Sequence, residues 1–286
     1  RKICDLGDQA IIYPAHGAGS VCGSGMADRE FSTVGHERRN NPMLQIEDRD
    51  TFIDRKVNEN HYQPPYFRLM EHLNLVGGEA APRVLKPQPM SLGELSSCEA
   101  DRVIDVREPL AYAAGHLPGS INLPVGMIPA FAGWFIGEGE KLALVASSQD
   151  QLSTAMEHLV RIALDNIVGG YVGVVPAAAS GKTMRSIPMI GTQEVERRLQ
   201  EKPDDWTLLD VRDADEREAE AIEGSRHIYV GELNEKWKDL DRGQRYTLMC
   251  ASGMRATVAA GWLDAHGFDH LDVYLGSMGA WKAAHS

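Results

Sequence analysis

A cysteine in a short, glycine-containing loop is the residue of this sequence with the clearest chemistry. Cys250 follows the strand-like run 246–249, and four residues separate it from Arg255. We expect a helix to begin directly after Arg255, near Ala256. Gly253 lets the backbone curl, so that successive N–H groups point inward and form an anion nest. The helix N-terminus adds its positive dipole end to the same place. The pattern predicts a cradle in which Cys250 ionises readily and acts as a nucleophile.

Other interpretations of this loop stay open at this stage. A cysteine at a strand end is most often a packing residue. A Cys…Arg nest also suits a small-anion phosphatase, although phosphatase loops of similar folds are longer than the four residues that separate Cys250 from Arg255. A module that binds a persulfide without catalysis is the non-enzymatic alternative. We expect Arg255 to pair with an acidic residue in segment 213–218. The anion-binding loop itself consists of Ala251, Ser252, Gly253 and Met254.

An internal repeat after residue 85 indicates which elements position the loop. The triplet Asp-Val-Arg occurs at 105–107 and at 210–212, and Gly-Ser occurs at 119–120 and at 224–225, both with an offset of 105. Further on, LALVASSQDQLSTAM aligns with YTLMCASGMRATVAA, and NIVGG aligns with VYLGS. Four blocks in the same order predict two copies of one domain.

Each copy has the pattern of a doubly wound α/β domain. Short apolar runs alternate with helical stretches, which is typical of a parallel sheet covered by helices on both faces. Ligands of such sheets bind beyond the carboxyl ends of the strands, where Cys250 lies. In the first copy the predicted strands are 102–106, 142–145 and 166–168, the predicted helices are 109–114 and 151–163, and the predicted linkers of the chain are 85–91 and 177–188.

The first copy departs from the second where the chemistry would occur. Its aligned loop, 146–151, has Ala146 in the place of Cys250 and contains neither glycine nor arginine. Ser147 or Ser148 would need an activating base, and none is evident nearby. We therefore expect the first copy to be inert, as a scaffold or a docking unit.

Both copies resemble rhodanese domains, the sulfurtransferase family. The resemblance rests on DVREPLAYAAGHLPGSIN (105–122), on C-x-x-G-x-R (250–255) and on GSMGAW (276–281). It implies a thiosulfate sulfurtransferase-like enzyme without a cofactor, which moves sulfane sulfur from thiosulfate or a low-molecular-weight persulfide to a thiol or cyanide acceptor. Cys250 would carry the sulfur as a persulfide, and Arg255 would close the loop. The second copy reads AIEG where the family has H-x-P-G, an element that looks structural.

The N-terminal residues resemble another family. YPAHGAGSVCG (13–23) and STVGHERRNNP (32–42) are similar to the end of metallo-β-lactamase-fold (αββα) persulfide dioxygenases and their glyoxalase II relatives. Fused forms of these proteins place that domain before two rhodanese domains. The resemblance implies non-haem iron, or zinc, only in the complete domain. The H-x-H-x-D-H motif is absent here, and His16, the one remnant candidate, cannot hold catalytic iron alone. Cys22 is either near that metal site or a buried thiol.

These resemblances together imply the C-terminal part of a persulfide dioxygenase–rhodanese fusion involved in sulfide and persulfide oxidation. The expected domains are the metallo-β-lactamase-like fragment at 1–84, the copy without the cysteine at 88–184 and the copy with the cysteine at 187–286. Within the first of these, a strand and glycine-rich loop are expected to precede a loop at 31–44 and a helix within 64–78.

Composition sets the remaining expectations. The 286 residues carry a net charge of −12, which argues against nucleic acid or an anionic membrane as a partner. No uncharged apolar run reaches the roughly 18 residues of a membrane-spanning helix. Four scattered cysteines without a C-x-x-C pair favour a reducing cytoplasm. The expected partners are small-molecule sulfur donors and thiol acceptors, and a homo-oligomer is compatible with the sequence.

Overall fold

The structure is a computed structural model that describes residues 2–15, 29–58, 62–78 and 86–286. His16 and Cys22 lie outside the described residues, and so do the expectations that concern them. The chain divides into two compact units, 1–63 and 64–286. Among the described residues, no helix is long and apolar enough to cross a membrane.

The described residues of the first unit include a small antiparallel sheet and two α-helices. Strand β1 (Ile11–Ile12) pairs with β2 (Ser32–Thr33), and α1 (Val34–Asn40) and α2 (Arg49–Val57) follow. The prediction of a strand at β1 is confirmed. The prediction of a loop at 31–44 is wrong over α1, because the Thr33 side chain accepts a hydrogen bond from the His36 backbone N–H and caps a helix there.

The second unit begins with α3 (Tyr66–Val76), in agreement with the helix predicted within 64–78, and continues into the first copy. The sheet of this copy is entirely parallel, with strand order β4-β3-β5-β6. Every residue of its strand β5 is buried, as expected for a strand covered on both faces. The elements of the first copy are α4 (Leu92–Ser97), β3 (Arg102–Asp105), α5 (Pro109–Ala114), β4 (Ile121–Asn122), α6 (Ile128–Phe135), β5 (Leu142–Ala146), α7 (Gln149–Arg161), β6 (Ile167–Val172) and α8 (Val174–Ala179).

The second copy repeats this architecture with one additional strand. Its parallel sheet has the order β7-β11-β10-β8-β9, so that β10 lies in the middle. The elements are β7 (Met189–Ile190), α9 (Thr192–Glu201), β8 (Trp206–Asp210), α10 (Ala214–Ala219), β9 (Arg226–His227), α11 (Leu233–Lys236), β10 (Arg245–Met249), α12 (Met254–Ala265), β11 (Leu271–Tyr274) and α13 (Ser277–His285).

The sheet register corrects one block of the predicted repeat. In the first copy Leu144 lies opposite Gly170, and in the second copy Leu248 lies opposite Val273. Since Leu144 and Leu248 correspond in the sequence, Gly170 corresponds to Val273. The alignment of NIVGG with VYLGS, which matches Gly170 with Ser277, is therefore wrong.

The corrected register matches the loops that follow β6 and β11. Gly173 now corresponds to Gly276, and both have a positive φ, 99° and 77°, immediately before a helix. Val174 corresponds to Ser277. The second of these pairs places a buried apolar side chain in one copy and a hydroxyl group in the other.

The segment between the copies, predicted as linker 177–188, packs against the first copy. His116 and Arg185 exchange two backbone hydrogen bonds, 2.9 and 3.0 Å long, and the Ile187 N–H donates to the Ala113 carbonyl at 2.9 Å. Its first residues also complete α8. The segment connects the copies as predicted, but it does so as an ordered part of their interface.

Candidate active site

Cys250 lies at the carboxyl end of β10, the middle strand of the second sheet. Only 1% of the cysteine is exposed, whereas Ala251 and Ser252 beside it are exposed. The loop therefore forms an accessible rim with the sulfur at its base. This is the position predicted from the sequence, because strands of a parallel sheet present their following loops at one edge.

The loop backbone turns a donor toward the sulfur. The Gly253 N–H donates to the Cys250 Sγ at 3.1 Å. Gly253 has φ 108° and ψ −16°, a left-handed conformation that glycine adopts without steric cost. Helix α12 begins at Met254, two residues before the predicted start at Ala256, so its N-terminal donors lie in the same loop.

Helix α13 holds the loop from behind. The Ser277 hydroxyl accepts a hydrogen bond from the Cys250 N–H at 3.1 Å and donates to the Tyr274 carbonyl at 2.9 Å. The Met278 N–H donates to the Cys250 carbonyl at 3.0 Å. Ser277 has φ 49°, an uncommon value for a residue with a Cβ, which these contacts stabilise. The sequence of the loop gave no sign of this role for Ser277, although GSMGAW contains the residue.

Arg255 forms a bidentate ion pair with Glu216 of α10. The two guanidinium nitrogens Nη1 and Nη2 donate to the carboxylate at 2.5 and 2.8 Å. Burial alone raises the pKa of Glu216, but the hydrogen bonds and positive charge of Arg255 outweigh it and lower that pKa. Burial alone lowers the pKa of Arg255, but the hydrogen bonds to Glu216 outweigh it and raise the pKa of Arg255. The prediction of an acidic partner within 213–218 is confirmed.

The helix that carries Glu216 is itself capped by an acidic residue. The Asp213 side chain accepts a hydrogen bond from the Glu216 N–H at 2.8 Å, which is an N-cap of α10. Burial raises the pKa of Asp213, and the adjacent Glu216 carboxylate adds to the effect. The acidic side of the loop therefore contains two carboxyl groups whose pKa values are displaced in opposite directions.

The repeated Asp-Val-Arg triplet positions α10. Arg212 Nη2 donates to Asp210 at 2.7 Å and to the Glu220 carbonyl at 2.8 Å, and Nη1 donates to the Glu216 carbonyl at 3.3 Å. Burial alone lowers the pKa of Arg212, but Asp210 outweighs it and raises that pKa. Strand β8 and α10 are thereby tied together. The repeat revealed these residues in the sequence, but not their role of holding Glu216 toward the loop.

The first copy has the same tie but a different loop. Arg107 Nη2 donates to Asp105 at 2.7 Å and to the Gly115 carbonyl at 2.8 Å, as Arg212 does in the second copy. In the loop after β5, the Ser147 N–H donates to Gln151 Oε1 at 2.8 Å. The Ser148 hydroxyl accepts from the Gln151 N–H at 3.2 Å and caps α7.

The remaining candidates do not join the site. Cys98 is half-buried, and its Sγ donates to the Leu95 carbonyl of α4 at 3.2 Å. The cysteine therefore packs at the end of that helix. Over the ranges that the structure describes, no three His, Cys, Asp or Glu side chains are grouped so that they could hold a metal ion.

A family model matches residues of both copies, and known proteins are similar to parts of the chain. The sequence model of the family described as "Rhodanese-like domain" matches residues 89–174 and 192–284. The "Putative sulfurtransferase YtwF" of Bacillus subtilis is 33% identical over 96 residues, which are 34% of this chain and 91% of that protein. The "Putative sulfur carrier protein YrkF" of the same organism is 28% identical over 102 residues. These are 36% of this chain and 55% of YrkF, so the chain spans about half of that relative.

A solved structure extends the comparison. The "Metallo-beta-lactamase from Staphylococcus aureus subsp. aureus COL" has a TM-score of 0.50 and 27% identity, covering 60% of this chain and 48% of that chain. Since 1–84 is less than a third of this chain, the match necessarily includes residues of the copies. This similarity and the two family matches confirm the predicted fold class. The chain belongs to the rhodanese-like family, with two copies of the family's domain.

Proposed function

We propose that the protein is a sulfurtransferase in which Cys250 carries a sulfane sulfur as a persulfide. The observation that carries the proposal is the 3.1 Å hydrogen bond from the Gly253 N–H to the Cys250 Sγ, at the base of an accessible loop. A hydrogen bond donated to the charged form of a group favours that form. The family and the name of the relative YtwF support the same activity.

The proposed reaction has two displacement steps at sulfur. The Cys250 thiolate attacks the outer sulfur of thiosulfate or of a low-molecular-weight persulfide. The sulfur–sulfur bond of the donor breaks, and its electron pair leaves with sulfite or with the donor thiolate. A thiolate or cyanide acceptor then attacks the outer sulfur of the persulfide, and the Cys250 thiolate leaves. Each step forms one bond to the transferred sulfur and breaks another, so neither step needs a cofactor or an external oxidant.

The loop would stabilise both charged forms of Cys250. Backbone N–H groups and the N-terminal end of α12 would face the thiolate before the first step and the terminal sulfur of the persulfide after it. Arg255 would act by its position and charge, since both ends of its guanidinium group are bound to Glu216. The proposed binding loop consists of Ala251, Ser252, Gly253 and Met254.

The ion pair also argues against the phosphatase alternative. In a Cys…Arg phosphatase the guanidinium group must donate two parallel hydrogen bonds to the phosphate oxygens. In this protein the same two nitrogens already donate to Glu216 at 2.5 and 2.8 Å. A phosphate would have to displace a carboxylate that is part of the folded structure.

Mass spectrometry of the intact protein after treatment with thiosulfate tests the proposal. We expect the mass of one added sulfur atom on the wild type, localised to Cys250 by peptide mapping and removed by cyanide. Cys250→Ser should gain no sulfur and should catalyse thiosulfate-to-cyanide transfer only at background rate, because a serine hydroxyl remains protonated. Cys98→Ser is the matched control and should load like the wild type. A wild type that gains no sulfur contradicts the proposal and leaves the binding-module alternative.

We propose further that 1–84 is the end of a metallo-β-lactamase-like dioxygenase domain, followed by an inert copy at 88–184 and an active copy at 187–286. The quoted resemblances support this, as does the similarity to the Staphylococcus aureus structure. The described residues do not form a site that fits iron or zinc, so no oxidation step is assigned to this chain. We also propose a cytoplasmic location, with small-molecule sulfur donors and thiol acceptors as partners. Iron analysis after reconstitution should find no stoichiometric metal.

A further inference from the structure

Helix α12, which begins at the cysteine loop, has almost no face toward solvent. Its nine consecutive residues from Ala256 to Asp264 are all buried. The corresponding helix α7 of the first copy keeps Asp150 and Thr154 exposed, as expected for a helix that covers one sheet. A helix buried all round must have a partner on each side.

The first copy supplies the second partner of α12. One side of α12 contacts β10 and β11 of its own sheet, and the other contacts β4 and α5 of the first copy. The two approach each other closely at Gly261, where a Cβ would lie 3.0 Å from Tyr112 Oη and 3.2 Å from the Asn122 backbone nitrogen. Next to it, the rings of Trp262 and Phe135 have centroids 4.9 Å apart.

A buried polar network fixes the far end of α12. Asp264 Oδ1 accepts from Arg185 Nε at 2.7 Å, and Asp264 Oδ2 lies 3.3 Å from His116 Nε2. His116 Nδ1 lies 3.0 Å from the Tyr112 carbonyl oxygen, and the two rings stack at 3.9 Å. His116 and Asp264 are both buried. The second copy has Ala221 at the position of His116, so only the first copy can make this contact.

The N-terminal end of α12 is hydrogen-bonded to the loop that holds Cys250. Thr257 donates both its N–H and its hydroxyl to the Gly253 carbonyl, at 3.0 and 2.9 Å. The N–H of Gly253 in turn donates to the Cys250 sulfur. Because rigid secondary-structure elements can transmit coupling, we expect a shift at Asp264 to reach Gly253 and Arg255 at the other end of the helix.

We propose that the first copy, which has no nucleophile, is a positioning domain for the cysteine loop of the second. Gly261 and Asp264 are the positioning residues: Gly261 sets how closely α12 approaches the first copy, and Asp264 sets its position along the helix axis. The proposal deepens the proposed function and rests on it for the turnover readout. The reactivity of Cys250 toward an alkylating reagent is a second readout that does not.

The test uses Gly261→Ala and Asp264→Asn in the full chain. The added methyl group would lie 3.0 Å from Tyr112 Oη, so Tyr112 or the helix must shift by a few tenths of an ångström. Asparagine keeps the size of Asp264 while removing its charge. We expect each to lower kcat for thiosulfate-to-cyanide transfer by about tenfold, with a smaller change in KM, because small displacements of reacting groups are costly. The rate of Cys250 alkylation by iodoacetamide should change in the same variants. If the wild type shows no sulfur transfer, the alkylation rates still decide the positioning role.

A rescue and a matched control separate positioning from general destabilisation. Tyr112→Phe combined with Gly261→Ala removes the nearest atom and should recover part of the activity. Val145→Ala weakens the first copy on the face that contains Leu95 and Tyr171, and should leave kcat and alkylation unchanged at a temperature where it is folded. Wild-type kinetics in folded Asp264→Asn, or an equal loss in Val145→Ala, would overturn the proposal. Asp264→Asn retains the test if Gly261→Ala does not fold.

Discussion

The loops after β5 and β10 lie at corresponding places in two similar sheets, yet they use their backbone donors differently. In the first copy the Ser147 N–H donates to the side-chain oxygen of Gln151. In the second copy the Gly253 N–H donates to the Cys250 sulfur, and Arg255, at the position of Gln151, donates to Glu216. An arginine side chain has no acceptor atom, so it cannot occupy the donors of its own loop. The comparison indicates why arginine suits this position.

The supports behind the two loops differ in the same way. Ser277 accepts from the Cys250 N–H, whereas its counterpart Val174 is a buried hydrophobic residue that cannot accept. On the opposite side, Glu216 of α10 corresponds to Ala111 of α5, although both helices are tied to their strands by the same arginine–aspartate pair. The two copies share the scaffold, but the hydrogen bonds of Ser277, Gly253 and Glu216 around the Cys250 loop have no counterpart at Val174, Gln149 and Ala111.

The largest expected effect comes from moving the nucleophile into the first copy. In a Cys250→Ser background, Ala146→Cys should leave sulfur transfer at least about a hundredfold below wild type, since this loop lacks the glycine and the arginine of the second copy and its Ser147 N–H already donates to Gln151. Adding Gln149→Gly, Gln151→Arg and Ala111→Glu should increase sulfur loading at position 146. Quantitative mass spectrometry after thiosulfate treatment measures both. Efficient loading of the single Ala146→Cys change would show that the loop partners do not matter.

Removing the positive charge beside Cys250 should have the next largest effect. Arg255→Ala should lower kcat/KM by about ten- to a hundredfold, the usual range for losing a charged hydrogen-bonded pair. Arg255→Lys should restore only part, because lysine has no planar fork to match Glu216. The rate of Cys250 alkylation by iodoacetamide at a fixed pH should fall in the alanine variant, since a nearby cation favours the charged nucleophile. An unchanged rate would make Arg255 a structural clamp only.

Loss of the hydroxyl group behind the loop should have a moderate effect. Ser277→Gly removes the acceptor of the Cys250 N–H but relieves the positive φ, so sulfur transfer should fall about tenfold with little loss of stability. Ser277→Ala removes the same hydroxyl and keeps the strain, so its melting temperature should fall further. Transfer rates and thermal unfolding of the two variants measure this. If the activity of the two variants falls in proportion to their loss of stability, and not equally with the loss of the hydroxyl group, the proposed role of Ser277 is wrong.

The smallest expected effect is on the pH dependence of stability. The pKa of Glu216 is held below its ordinary value of 4.5, so its pair with Arg255 stabilises the fold above that value. This contribution should be lost as the pH falls through the lowered pKa. Asp213, whose pKa is raised, should act in the opposite direction. Glu216→Gln should flatten urea-unfolding free energies between about pH 5 and 3. An equally steep fall in the variant would place the effect elsewhere.

Much of this arrangement was predictable because it depends on neighbours in the chain. The bounds of α5 were predicted to the residue, since Pro109 favours a first helical turn and Gly115 follows the last. The acidic partner of Arg255 was predicted from the strand–helix repeat and is Glu216. The α1 helix was missed, because its N-cap by Thr33 is a single hydrogen bond within a polar segment.

Other features required the packed structure. The pairing of Leu248 with Val273 sets which residues of the two copies correspond, and the fold brings Ser277 to the Cys250 N–H. Strand register depends on contacts between segments far apart in sequence. The predicted linker likewise became part of an interface because Arg185 reaches both His116 and Asp264.

The order of residues alone determined the repeat and the parallel α/β architecture, and it pointed to Cys250 as the proposed nucleophile and to Ala146 as its counterpart in the first copy. Each of these depends on residue type and on spacing within one segment. Only the tertiary structure decided that α12 is enclosed by both copies and that Asp264 is held by His116, 148 residues away. The helix sequence is apolar enough to be buried all round, but which surface covers its second side is decided when the two domains pack together.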